Sequence, residues 1–278
     1  MRELAFDDLV LCAGTVSASG LKERVQAAAA AGYTGISVFA DDYDRARADG
    51  LSDADLRALL DDHGLGIAEI DPLMNWVPTA DLSTGANEQG RGFFAHGEEK
   101  FFAIADAIGG RAINAVLVSD TEIPHEQIVE CFAGLCDRAK AHDLLVALEF
   151  LPWTQIRSVR EAMRVVRDAG RANGGLMLDS WHHFRGGVGI DEIPAERVFG
   201  IQLNDAPATP MADLIEETTR HRLLPGEGAF DLRGLLSHLK VGGCSAPVGV
   251  EIFSDALQGQ PVADVAKRTA DATRAVLP

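Results

Sequence analysis

Four polar side chains interrupt apolar runs in the second half of this 278-residue chain. Glu149 ends LLVALEF, Asp179 ends GLMLD, Gln202 lies in VFGIQLND and Glu251 lies in VGVEIF. A carboxylate isolated among apolar neighbours is strongly disfavoured unless it is paired or bound to a metal. If the four runs are consecutive strands of a barrel, side chains at equivalent heights converge on the axis, and three carboxylates gathered there repel one another. A divalent cation cancels that repulsion. Two Glu, one Asp and one Gln form an all-oxygen donor set suited to Mg²⁺ or Mn²⁺, with Co²⁺ and Zn²⁺ as alternatives. The competing explanation pairs each acid with an Arg on a neighbouring strand, yet those strands contain almost no Lys or Arg.

Two further residues bear on the chemistry. His182 stands three residues after Asp179, where an imidazole could reach a substrate oxygen above the metal; a surface or cap role is the alternative, and adjacent His183 is the weaker candidate. Arg222, in RLLPGEGAFD, is the candidate cation over the pocket, against the alternative of a solvated loop charge. Met74, Trp76, Leu151, Trp153 and Trp181 flank these positions and would give an apolar mouth, unless they are packing residues. A phosphorylated substrate is disfavoured, because no Gly-rich phosphate loop or Lys cluster stands near the later strand ends.

Positioning these groups requires strands, and eight short apolar runs have the composition for them. They are Leu9 to Ala13, Gly35 to Ala40, Gly66 to Ile70, Ile113 to Val118, Leu144 to Phe150, Gly175 to Leu178, Val198 to Leu203 and Val248 to Phe253. Amphipathic helices are expected between them. Ser158 and Glu161 have capping-box spacing ahead of the stripe Ala162, Val165, Val166 and Ala169, which Gly170 ends. Ile128, Cys131, Phe132, Leu135 and Ala139 form another stripe, as do Leu232, Leu235, Leu236 and Leu239. Ser52 with Asp55 opens the stripe of Leu56, Leu59 and Leu60, and Pro261 reads as the first residue of a terminal helix. Eight strand-helix units of roughly 35 residues match a (β/α)₈ TIM barrel, with an open doubly wound sheet as the alternative. With no linker or composition break, residues 1–278 read as one domain. The stretches Asp71 to Ala95 and Asp205 to Phe230 follow the third and seventh strands and would lie on the C-terminal face, where barrel active sites are built.

Composition narrows the partners. Lys and Arg number 25 against 42 Asp and Glu, a formal net charge of -17, which repels phosphate backbones and anionic lipid surfaces. Nucleic acid and membrane are therefore not expected partners; self-association is left open. Cys12, Cys131, Cys136 and Cys244 lack C-x-x-C spacing and read as buried core thiols. The acidic start MRELAFDDLV lacks the pattern of a secretory signal, and no apolar run approaches the ~18 residues of a membrane span. A cytoplasmic location is the expectation.

Glu at the end of strand five, D-x-x-H after strand six, a candidate metal ligand on strand seven followed by Asp, then R-x-x-P-G-E-G, then Glu on strand eight, together resemble the xylose-isomerase-like TIM-barrel superfamily of sugar-phosphate isomerases and epimerases. The resemblance is strong over residues 145–253 and rests elsewhere on strand-helix rhythm. It implies that Glu149, Asp179, Gln202 and Glu251 are the metal ligands, and that Glu149 and Glu251 also act as acid and base. His182 and Arg222 would then neutralise oxygen charge as it builds. The shared step is removal of a proton from carbon next to a carbonyl of a polyhydroxy compound. Return of the proton gives an isomer or epimer, whereas loss of a β-hydroxyl gives dehydration. Gln202 stands where the sugar epimerases usually carry His and resembles the 3-dehydroshikimate dehydratases. An isomerase or epimerase is the first expectation, a dehydratase the second, and a non-catalytic metal-binding barrel the third.

Overall fold

A computed structural model describes residues 2–80 and 95–278. Its strands are β1 (Leu9–Leu11), β2 (Gly35–Phe39), β3 (Gly66–Leu73), β4 (Ala112–Val116), β5 (Leu145–Glu149), β6 (Gly174–Asp179), β7 (Val198–Leu203) and β8 (Val248–Val250). All neighbours pair in parallel, and β1 closes on β8 to complete the barrel. The eight expected runs are thus the eight strands. Their ends differ: β3 continues past Ile70 to Leu73, and β8 stops at Val250, one residue before Glu251.

Ten helices surround the barrel among the described residues: α1 (Leu21–Ala30), α2 (Ala40–Ala48), α3 (Asp53–Asp62), α4 (Glu98–Ile108), α5 (His125–Ala139), α6 (Val159–Ala169), α7 (Ser180–Gly186), α8 (Leu214–Arg220), α9 (Leu232–Val241) and α10 (Val262–Val276). The long helices form where the stripes demand it. Before α6, the Ser158 hydroxyl accepts the Arg160 N–H and donates to Glu161 at 2.5 Å. Gly170 ends the helix at φ 63°, a left-handed conformation that costs glycine least. Ala162, Val165, Val166 and Ala169 are all buried. Strand residues on the outer face, such as Val146, Leu148, Leu176 and Leu178, join the same apolar cluster as these helix stripes. Strands covered by helices outside and filled inside are near-continuously apolar.

Several local expectations need correction. Pro261 precedes α10 instead of opening it, because its ψ of 132° is extended. Cys131 is half-buried beside the stripe of α5, whose buried thiol is Cys136; all four cysteines are free. The stretch from Asp71 begins as strand, and its residues 81–94 lie outside the described residues. The stretch from Asp205 contains α8 and folds back through an antiparallel bridge between Asp205 and Leu223.

One irregularity positions the site. Ile36 pairs with Ile67, but the next residue, Ser37, pairs with Glu69, so β3 has one residue more than β2 at Ala68. Such a bulge bends the strand and resets which face later side chains use. Ala68 packs with Val10 and Cys12, and the Glu69 carboxyl accepts from the Cys12 thiol at 3.6 Å. Both residues therefore meet the inner wall. Beyond them Ile70 joins the helix-facing cluster and Asp71 lines the central cavity.

Candidate active site

The β5 to β8 side of the cavity is built from regular strands. Glu149 ends β5 and Asp179 ends β6, with Gln202 of β7 in register beside Asp179. Asp179 is also the N-cap of α7, where its Oδ1 accepts the His182 N–H at 3.0 Å. The D-x-x-H spacing is thus a capping geometry that turns His182 back over the strand ends. Ligand atoms of Glu149, Asp179 and His182 all lie within 4.8 Å of one another, and all three residues are buried. His182 Nε2 is 3.4 Å from Glu149 Oε1.

Arg222 is the cation that this cluster already contains. Only 3% exposed, it donates from Nη1 to Asp179 Oδ2 at 2.8 Å and to the Glu251 carbonyl at 3.2 Å. Its Nε and Nη2 donate to Thr218 Oγ1 of α8 at 3.1 and 2.8 Å, and Glu251 Oε2 lies 3.6 Å from Nη1. The solvated-loop alternative for Arg222 therefore fails. Asp179 has an Arg partner after all, supplied by the loop after β7 instead of by a strand. Asn204 Nδ2 donates to the same two acceptors, Asp179 Oδ2 at 3.0 Å and the Glu251 carbonyl at 3.1 Å.

The opposite wall carries two residues that the strand-end reading missed. Asn114 of β4 donates from Nδ2 to Asp71 Oδ1 at 2.8 Å and to Glu149 Oε2 at 2.7 Å. Gln202 donates from Nε2 to Asp71 Oδ2 at 3.2 Å. The carboxyl of Asp71 thus accepts from two buried amides. A sequence signal existed in GIAEIDPL, where two acids two residues apart sit in an apolar run, but ordinary alternation would send Asp71 outward.

Electrostatics follow from burial. Desolvation pushes the Glu149 and Glu251 carboxyls well above the ordinary range, and the charge of Asp71 adds to both shifts. Asp71 rises to about 6 by burial, opposed by the Asn114 and Gln202 hydrogen bonds. Burial lowers His182 to about 4, against the pull of Asp179, so its imidazole is neutral at pH 7. Each of these costs would fall if a cation stood among the carboxylates. Gln202 Oε1 and His182 Nδ1 are buried without a hydrogen-bond partner. Clustered acids, a neutral imidazole and an orphaned amide oxygen fit a divalent cation. A second group, Asp41, Asp44 and His96, has ligand atoms equally close but largely exposed, and Lys100 already pairs with Asp44.

The cavity above these residues has a volume of about 180 Å³. Met74, Leu151 and Trp153 line it as expected, joined by Phe39, Val116 and Phe253. Trp76 and Trp181 do not. Each indole N–H needs a partner when buried and finds one inside the protein, Trp76 at the Val116 carbonyl (2.8 Å) and Trp181 at Glu217 (2.9 Å). His183 is also buried, with both ring nitrogens unpartnered, and does not line the cavity. A larger groove of about 390 Å³ shares Phe253 and Thr219 with the cavity. Its Thr15 and Ser19 hydroxyls are spent on the backbone, at Val250 and Val16.

Residues 25–276 match the family model of the xylose isomerase-like TIM barrel. The 3-dehydroshikimate dehydratase of Pseudomonas aeruginosa is 32% identical over 257 residues, which are 89% of this chain and 38% of that protein. The inosose isomerase of Bacillus subtilis is 33% identical over 156 residues, 52% of this chain and 55% of that protein. The chain therefore spans about two fifths of the length of the dehydratase and just over half that of the isomerase. Among solved structures, the IOLI protein with a bound zinc atom superposes with a TM-score of 0.83 at 24% identity, covering 97% of both chains. A D-allulose 3-epimerase from Methylomonas covers 100% of both at a TM-score of 0.70 and 17% identity. At these identities the two structures speak for the fold. With the closed barrel and the family match over nearly its whole length, the chain belongs to the xylose isomerase-like TIM barrel family.

Proposed function

We propose that the chain is a divalent-metal-dependent isomerase or epimerase that moves a proton next to a carbonyl of a sugar-like polyhydroxy compound. The observation that carries this reading is the buried meeting of Glu149, Asp179 and His182 beside a Gln202 oxygen that has no partner. Glu149, Asp179, Gln202 and Glu251 would hold the ion, Mn²⁺ or Mg²⁺ by their oxygen donors. When bound, the ion supplies positive charge that polarises the substrate carbonyl and acidifies the neighbouring C–H.

The protein's own groups do the rest. Glu149 and Glu251 are the two proton carriers, one at the end of β5 and one just after β8, and both line the cavity. Arg222 holds Asp179 and the Glu251 backbone in place and adds positive charge at the cavity wall as oxygen charge develops. Neutral His182 lines the same cavity and offers a hydrogen bond to a substrate oxygen. Met74, Leu151 and Trp153 keep the mouth apolar and exclude water. Four free thiols fit a reducing, cytoplasmic setting.

Dehydration is the second reading, favoured by the dehydratase likeness over 89% of the chain and by Gln202. The test is turnover of an inosose and of 3-dehydroshikimate by the Mn²⁺-loaded protein in deuterated water. Carbon-bound deuterium in a product of unchanged formula is expected. An ultraviolet-absorbing conjugated product, with no reprotonated isomer, would transfer the assignment to dehydration, and saturable metal binding with neither product would leave a binding protein.

A further inference from the structure

We propose that Asp71 is a positioning residue that dictates which end of the Gln202 side-chain amide is presented to the metal. The inference rests on the metal-site reading above and adds a residue on the opposite wall. An amide has nearly the same shape either way round, but only its oxygen can bind a cation, so something must fix its orientation. A carboxylate does this, because an ionised carboxylate only accepts hydrogen bonds. Asp71 Oδ2 takes the Gln202 Nε2 at 3.2 Å. The amide oxygen is thereby left at the other end, buried and unpartnered, next to Asp179 in the sheet register.

Asp71 treats Asn114 in the same way. Asn114 gives its Nδ2 to Asp71 and to Glu149, and its Oδ1 is likewise buried without a partner. Reversing Gln202 would set its oxygen against the Asp71 carboxylate and turn an N–H toward the site. The bulge at Ala68 is what brings Asp71 to the inner wall to do this.

The test is Mn²⁺ affinity by isothermal titration calorimetry, together with thermal melting in chelator to verify folding. Asp71→Asn removes the instruction, since an Asn can offer either a donor or an acceptor. Affinity should fall roughly 10- to 100-fold, the usual consequence of losing a group that orients a ligand. In a Gln202→Ala background the same change should add less than about twofold, because there is no amide left to orient. The double exchange D71N/Q202E swaps donor and acceptor at unchanged total charge. It should recover affinity to within several-fold of the unmodified protein, and it keeps the proposal testable if Asp71→Asn alone does not fold. An equal loss on Asp71→Asn with and without Gln202 would overturn the proposal in favour of a general charge effect, as would no recovery in the exchange variant. If Gln202→Ala binds Mn²⁺ as the unmodified protein does, the metal-site reading itself is wrong and the inference falls with it. If Gln202→Ala binds weakly while Asp71→Asn is unaffected, only the role of Asp71 is lost.

Discussion

Strands β5 and β3 face the same cavity but deliver their acids in different ways. In β5 the alternation is regular: Val146 and Leu148 pack outward against helices, and Glu149 ends the strand on the inner wall. In β3 the extra residue at Ala68 places two successive side chains inward, so that Glu69 and Asp71 share the interior with Ile70 outside. The first arrangement follows from local pattern. The second exists only because β2 supplies one residue fewer than β3 over the same span. The β5 side carries the groups proposed for proton transfer, and the β3 side supports their orientation and charge.

The largest expected effect lies on the regular side. Glu149→Gln and Glu251→Gln each keep an oxygen of similar size but remove a proposed proton carrier, so turnover should fall ~10²-fold or more with metal binding largely kept. Solvent deuterium incorporation measures it; undiminished exchange in either variant would remove that residue from the proton relay. Next is the ion itself. Binding to the folded state alone, at a free concentration 100 times Kd, is worth about 2.7 kcal/mol. Melting with Mn²⁺ and with excess chelator should therefore differ by several degrees, and coincident curves would count against any site.

A smaller effect is expected where the β1 end meets the β8 glutamate. A Cβ on Gly14 would stand 2.5 Å from Phe253 Cζ and 2.8 Å from Glu251 Oε1. Gly14→Ala must displace one of them, and roughly a tenfold loss of kcat with intact folding is expected from such a shift at the proposed proton carrier. Unchanged kinetics would show that Glu251 tolerates displacement.

The bulge is tested through the pH dependence of stability. Burial, reinforced by Asp71, raises Glu69 from 4.5 to about 8. Below pH 4.5 folded and unfolded chains both hold this proton. Between 4.5 and about 8 the unfolded chain releases it and the folded chain does not, so this group's contribution to stability is lost as pH rises, by on the order of 1 kcal/mol per unit at most. Glu69→Gln cannot titrate, and its urea midpoint in chelator should decline less than that of the unmodified protein from pH 5 to pH 8. Parallel declines would mean that Glu69 is ionised in the folded state.

Strand order, helix faces and the positions of Glu149, Asp179, Gln202 and Glu251 were legible in the chain because they depend on local periodicity, caps and composition. The capping relation of Asp179 to His182 was visible as spacing, though its consequence, an imidazole turned onto Glu149, was not. Arg222 shows the limit from another direction. Its motif marked it as a candidate cation, but its burial against Asp179 required the fold-back of the loop onto the strand ends, a contact across 43 residues. Trp181 stood in the motif beside Asp179 and yet points away from the cavity, because Glu217 of α8 offers its indole a partner. Asn114, a polar residue inside the apolar run of β4, carried the same signal as Glu149 and faces inward by regular alternation, whereas the inward turn of Asp71 was decided by tertiary structure. Which face a side chain uses after a bulge depends on the residue count of the neighbouring strand, and no property of the segment's own sequence encodes that count.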